Sequence, residues 1–136
     1  MKGIIIFMIN IGIVGVTGYS GVELLRILLN HPSVAKVTGS SVSFEGKLVT
    51  DIYPAFRGYA DIVIVNEDTV IENSDVVFAA LPHGLSEELA VKCKAKGVKL
   101  IDLGADFRLN DPKTYAIWYE KEYKYPELHR DRKSVV

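Results

Sequence analysis

The sequence predicts an α/β fold, a doubly wound parallel sheet of Rossmann type, on three observations. Short β-branched apolar runs alternate with helical stretches along the whole chain, and apolar runs buried on both faces are typical of parallel strands. A glycine-rich turn joins the first run to the first helix. The length, 136 residues, suffices for one domain with its own core and is too short for two ordinary ones.

In chain order, strands are expected over residues 9–14, 34–38, 61–65, 75–81 and 98–103, each a β-branched run. A first helix is expected over residues 20–29: Ser20 can cap it, Val22, Leu25 and Leu28 share one face, and Asn30 and Pro32 stop it. A second covers residues 85–96 and ends at Gly97, the residue type favoured just beyond a helix. A third covers residues 112–119. Strand–helix–strand alternation demands right-handed crossovers. Residues 42–60, "VSFEGKLVTDIYPAFRGYA", lack clean periodicity and read as a long loop over the sheet edge, the kind of excursion that carries function.

Composition excludes several classes. Sixteen basic against seventeen acidic side chains leave a net charge of −1, with no electrostatic footprint for nucleic acid and no polybasic membrane patch. The single cysteine, Cys93, excludes an internal disulfide framework and fits a reducing compartment. The opening "MKGIIIFMINIGIVGV" mimics a signal peptide, yet it runs straight into the glycine turn without a small-residue cleavage pattern. A cytoplasmic location is therefore expected, with Met8 as a candidate start and residues 1–7 as an extension.

The turn "GIVGVTGYSGVELL" places Gly12, Gly15, Gly18 and Gly21 at every third position. At the carboxyl edge of a sheet, the free amides and positive end of a helix attract a pyrophosphate, and glycine permits close backbone approach. The spacing is not the standard G-x-G-x-x-G, so a tight strand-to-helix bend is the competing reading. Roughly 20 residues further on, a NAD-binding fold places an acidic residue on the ribose. Here the chain reads "TGSSVSFEGK": the hydroxyls of Ser40, Ser41 and Ser43 and the nearby Lys47 suit a 2′-phosphate. A serine-rich loop is the competing reading there.

Three further motifs follow. "ALPHG" ends the fourth predicted strand, with His83 able to face the cleft or to act as a structural hydrogen bonder. In "DLGADFRL", Asp102, Asp106 and Arg108 are expected to form a buried ion network. "WYEKEYKYP", around Trp118, reads as an aromatic surface segment against a partner domain or subunit. Cys93 lies inside a lysine-flanked helix and is expected to pack rather than react.

Taken together, "GIVGVTGYSGVELLRILLNHP", "FEGK", "DVVFAALPHG" and "KLIDLGADFRLNDPKTYAIWY" resemble the amino-terminal part of the N-acetyl-gamma-glutamyl-phosphate reductases, a family of the semialdehyde-dehydrogenase superfamily. The resemblance implies an NADP site. Gly15, Thr17, Gly18, Tyr19, Ser20 and Gly21 would lie at the pyrophosphate, Ser40, Ser41 and Ser43 near the 2′-phosphate, and Leu81, Pro82, His83 and Gly84 by the nicotinamide. It implies NADPH-dependent reduction of an acyl phosphate to a semialdehyde in arginine biosynthesis, a small-molecule substrate, and a homo-oligomer at full length. Many members carry arginine where Val42 stands. The family's nucleophilic cysteine and its histidine match no residue here, so no catalytic residue is assigned and the chain is expected to be an inactive fragment, truncated before the catalytic and substrate domain. No metal is implied. The expected domain covers residues 1–130, with residues 131–136, "DRKSVV", as a non-native tail. An aspartate-semialdehyde dehydrogenase-like enzyme and a non-catalytic NADP-binding module are the alternatives; "LPHG" with "ADFRL" argues against the first.

Overall fold

The computed structural model describes residues 7–133. Strands β1 (Ile9–Val14), β2 (Val34–Ser40), β3 (Val76–Ala79) and β4 (Lys99–Asp102) form one parallel sheet in the order β2-β1-β3-β4. Among the described residues the helices are α1 (Tyr19–Leu29), α2 (Val49–Ile52), α3 (Glu67–Glu72), α4 (Ser86–Lys96), α5 (Pro112–Tyr119) and α6 (Pro126–Asp131), of which α1, α3 and α4 pack on the sheet. Residues 1–6 of the extension expected over 1–7, and residues 134–136 of the tail expected over 131–136, lie outside the described residues. Across the expected boundary at residue 130, α6 continues to Asp131, whose carboxylate pairs with Lys94 at 3.2 Å.

Alternation along β1 explains the two layers. Ile11 and Ile13 point to one face, where Leu25 and Leu28 of α1 meet Val37 of β2, together with Val49 and Ile64. Val14 points to the other, where Val70 and Ile71 of α3 pack with Leu89 and Cys93 of α4 around Val77 and Ala79. Both faces of the sheet are thus covered, as the apolar strand runs require.

Three expectations are corrected. Residues 61–65 do not form a sheet strand. The backbone of Ile64 is taken by Gly46 and Lys47 (2.8 Å each), and Val49 donates to Ile62 at 2.9 Å. This segment therefore pairs with the preceding excursion, and its backbone meets β2 at an isolated Ser40–Val65 bridge, where the Val65 amide donates to the Gly39 carbonyl at 3.0 Å. Ser20 does not cap α1; Gly18 stands at the cap without a side-chain hydrogen bond. The excursion itself is partly ordered, through α2 and a 3-10 turn at Pro54–Phe56. Helix α3, which periodicity over six residues is too short to reveal, is capped by Asn66, whose Oδ1 accepts from the Thr69 amide at 2.8 Å.

Candidate functional site

The chain leaves β1 toward β2 on one side and returns to β3 on the other. In an open parallel sheet that reversal opens a crevice at the carboxyl ends of the strands. Two loops line it: the glycine turn after β1 and residues 80–85 after β3.

Packing requires glycine at some positions of the turn and not at others. Gly15 lies at φ +90°, and a Cβ there would collide with the Ala80 carbonyl oxygen. A Cβ on Gly21 would collide with the Gly15 carbonyl. Gly18 differs: its φ of −75° and ψ of 168° suit any residue, and a Cβ would meet only Gly15 O, at 3.6 Å. Nothing in the described chain fills the space over Gly18. Beside it, α1 has no side-chain cap and no acidic residue in its first turn, so its amide end is free to receive an anion.

The β2 side of the crevice is tied to this turn. The amides of Gly15 and Val16 both donate to the Ser40 carbonyl at 3.0 Å. Thr17 Oγ1 and Ser41 Oγ share a hydrogen bond of 2.8 Å, and the Tyr53 hydroxyl donates to the Thr17 carbonyl at 2.6 Å. Ser40 is buried; Ser41 is half-buried, and Ser43 is exposed, as are Tyr19 and Ser20. No carboxylate stands at the end of β2. Lys47 Nζ lies 5.7 Å from the Phe44 ring centroid.

On the β3 side, Leu81 leans toward Gly15, its Cδ2 lying 3.5 Å from where a Gly15 Cβ would stand. Pro82 and His83 are exposed, and the His83 ring stacks obliquely 5.3 Å from Tyr119. Gly84 sits at φ +88° under the Lys121 side chain. Asp106, fully buried, accepts hydrogen bonds from the amides of Gly84 (2.5 Å) and Ser86 (2.9 Å) and from the Tyr115 hydroxyl (2.8 Å). Burial and this bond to Asp106 push the Tyr115 phenol well above its ordinary range. Asp102 Oδ1 accepts from Ser86 Oγ at 2.8 Å and from the Gly104 amide at 2.9 Å. Burial holds the Asp102 carboxyl above the usual carboxylate range.

The expected ion network is therefore corrected. The two aspartates meet through Ser86, whereas Arg108 is exposed and forms no ion pair among the described residues. Backbone amides and hydroxyls, not a guanidinium, bond both Asp106 oxygens and Asp102 Oδ1, while the buried Asp102 Oδ2 has no hydrogen-bond partner among the described residues. Cys93 packs in the core as expected, and burial pushes its thiol up to about 11, which disfavours the thiolate at neutral pH. Trp118 is exposed at 75 %, beside Ile117 at 76 %. Among the described residues no group of three His, Cys, Asp or Glu side chains is placed to hold a metal ion, and no helix is long and apolar enough to cross a membrane. Sequence reasoning missed Tyr53 and the contacts of Asp106 to Gly84 and Ser86; both act across long sequence separations that no local pattern marks.

Comparison with known proteins agrees with this architecture. N-acetyl-gamma-glutamyl-phosphate reductase of Clostridium botulinum (strain Eklund 17B / Type B) is 50% identical over 123 residues, covering 90% of this chain and 36% of that protein. The Brachyspira hyodysenteriae protein of the same name is 47% identical over 124 residues, covering 91% and 35%. The chain thus spans about a third of the length of these relatives. Among solved structures, aspartate semialdehyde dehydrogenase with NADP from Candida albicans superposes with a TM-score of 0.66 at 20% identity, over 77% of this chain and 32% of that one. Aspartate semialdehyde dehydrogenase II from Vibrio cholerae gives 0.60 at 23%, over 77% and 34%. Identities this low establish the shared fold alone. A family model, semialdehyde dehydrogenase, NAD binding domain, matches residues 10–134, and the chain belongs to that family.

Proposed function

We propose that this chain is the NADP-binding part of an N-acetyl-gamma-glutamyl-phosphate reductase. The observation that carries the cofactor site is the open space over Gly18 at the uncapped start of α1. Gly15 and Gly21 lack side chains because the fold leaves no room for them, whereas at Gly18 neither packing nor φ requires glycine, and close approach of a ligand supplies the reason in this reading. The reductase assignment rests on relatives of that name at 50% identity over 123 residues and 47% over 124.

In this reading the amides of Tyr19, Ser20 and Gly21 hold the pyrophosphate, aided by the positive end of α1. Gly15 and Thr17 shape the turn beneath it. Ser41 and Ser43, with Ser40 fixing the strand end, receive the 2′-phosphate where an acidic side chain would repel it. Leu81, Pro82, His83 and Gly84 form the wall for the nicotinamide. NADPH supplies the hydride that reduces N-acetyl-gamma-glutamyl phosphate to the semialdehyde with release of phosphate. This chain's contribution is to bind and orient the cofactor; Cys93, turned into the core, takes no part in the chemistry. The whole protein is a cytoplasmic enzyme of arginine biosynthesis that assembles with copies of itself.

Fluorescence titration of the protein, expressed from its complete reading frame, tests the reading. Saturable NADPH binding is expected, and Ser41→Asp should weaken NADPH far more than NADH. Equal losses for both would reduce Ser41 to a packing residue. Absence of binding to the folded protein would overturn the cofactor site, and turnover of aspartyl phosphate in preference to the acetylglutamyl substrate would overturn the reductase assignment.

A further inference from the structure

The geometry points to Asp106 as a positioning residue that sets the Leu81–Gly84 wall of the cleft, an inference resting on the cofactor reading above. Residues 81–85 lie between β3 and α4, beyond the last β1–β3 hydrogen bond, which the Ala80 amide donates to the Val14 carbonyl at 2.9 Å. Gly84 is held at φ +88°, and its amide and that of Ser86 converge on one carboxylate from another loop, at 2.5 and 2.9 Å. The Tyr115 hydroxyl, at 2.8 Å, fixes that carboxylate from below.

Asp106 is fully buried, with no cationic partner among the described residues. A buried carboxylate without a counter-charge is tolerable only while its hydrogen-bond donors stay in place. The loop is therefore tied down by the strongest polar contacts near it. It also faces the crevice, since Ala80 and Leu81 abut Gly15 across the strand reversal. The amide end of α1 and the β2 hydroxyls are built without Asp106. A change at Asp106 should thus displace one wall and spare the other.

Two ligands separate the walls: NADPH, which spans both, and 2′,5′-ADP, which lacks the nicotinamide half. Asp106→Asn keeps the size but turns one acceptor into a donor facing an amide N–H. It should weaken NADPH at least about tenfold, the equivalent of one charge-assisted hydrogen bond, and leave 2′,5′-ADP unchanged. Amide hydrogen exchange at Gly84 and Ser86 should speed up in parallel. Tyr115→Phe, which removes one donor and keeps the ring, should give a smaller loss of the same kind and serves if the first variant does not fold. Equal weakening of both ligands, or unchanged NADPH affinity with faster exchange, would overturn the inference. Failure of the unaltered protein to bind either ligand would instead overturn the cofactor reading on which it rests.

Discussion

Gly15, Gly18 and Gly21 share one spacing, yet backbone contacts exclude a side chain at Gly15 and Gly21 and not at Gly18. At Gly21 a Cβ would strike the Gly15 carbonyl and lie 2.8 Å from Val16 Cα. Backbone cannot yield there as a flexible side chain can, so Gly21→Ala should lower stability by about 1–3 kcal/mol, as overpacking does, measured by urea unfolding. Gly18→Val should behave in the opposite way. Its backbone conformation suits valine and its surroundings are open, so the fold should persist while NADPH affinity falls at least about tenfold through blocked amide–phosphate contact. A melting scan and a titration on both variants separate the two roles. Unchanged affinity in Gly18→Val would leave the turn as a bend and nothing more.

At the scale of elements, a buried polar pair docks the segment after α5, beside the buried Leu128 and the Tyr115–Tyr123 ring contact. Glu87, in the first turn of α4, accepts from the Lys124 amide at 2.7 Å and bonds His129 Nε2 at 2.8 Å. The two side chains are 6% and 7% exposed. The imidazole stacks on Tyr123 at 3.7 Å, and Tyr123 in turn donates to the Leu109 carbonyl at 2.6 Å. A carboxylate also suits the positive end of α4. Removing one partner of a buried pair leaves the other unsatisfied, at a cost of about 3 kcal/mol. Glu87→Ala should therefore lose roughly that much in denaturant unfolding. Hydrogen exchange should show α6 unprotected while β1 and β3 keep their protection; uniform loss across the sheet would show that the pair supports the whole fold instead.

For the whole molecule, Asp102 links stability to pH. Burial raises its folded pKa above the unfolded value, against the opposing hydrogen bonds from Gly104 and Ser86. A raised carboxyl contributes stability in full below the ordinary carboxylate range and loses it as pH climbs through the folded value. Asp102→Asn removes this titration and keeps an acceptor for Gly104 and Ser86. As pH climbs from the ordinary carboxylate range, about 4, through the raised folded value, the wild-type urea midpoint should therefore fall relative to that of the variant. Parallel midpoints across that range would show that Asp102 titrates alike in the folded and unfolded chain.

Local pattern carried much of this architecture. The four strands, α1, α4 and α5 are visible as β-branched runs and apolar faces because their signals repeat within a few residues. The glycines and the hydroxyls after β2 are legible for the same reason: residue type at short spacing limits what the backbone can do. Tertiary structure alone decided the rest. Residues 61–65 look like a strand, but their backbone partners lie in the excursion at Gly46–Val49. Asp106 looks like one member of an ion network, but its partners are amides 20 and 22 residues away. Which glycine faces open space depends on what the remaining chain packs against it. Periodicity reports which face of an element is buried; hydrogen-bond partners and ligand space are settled only when distant segments meet.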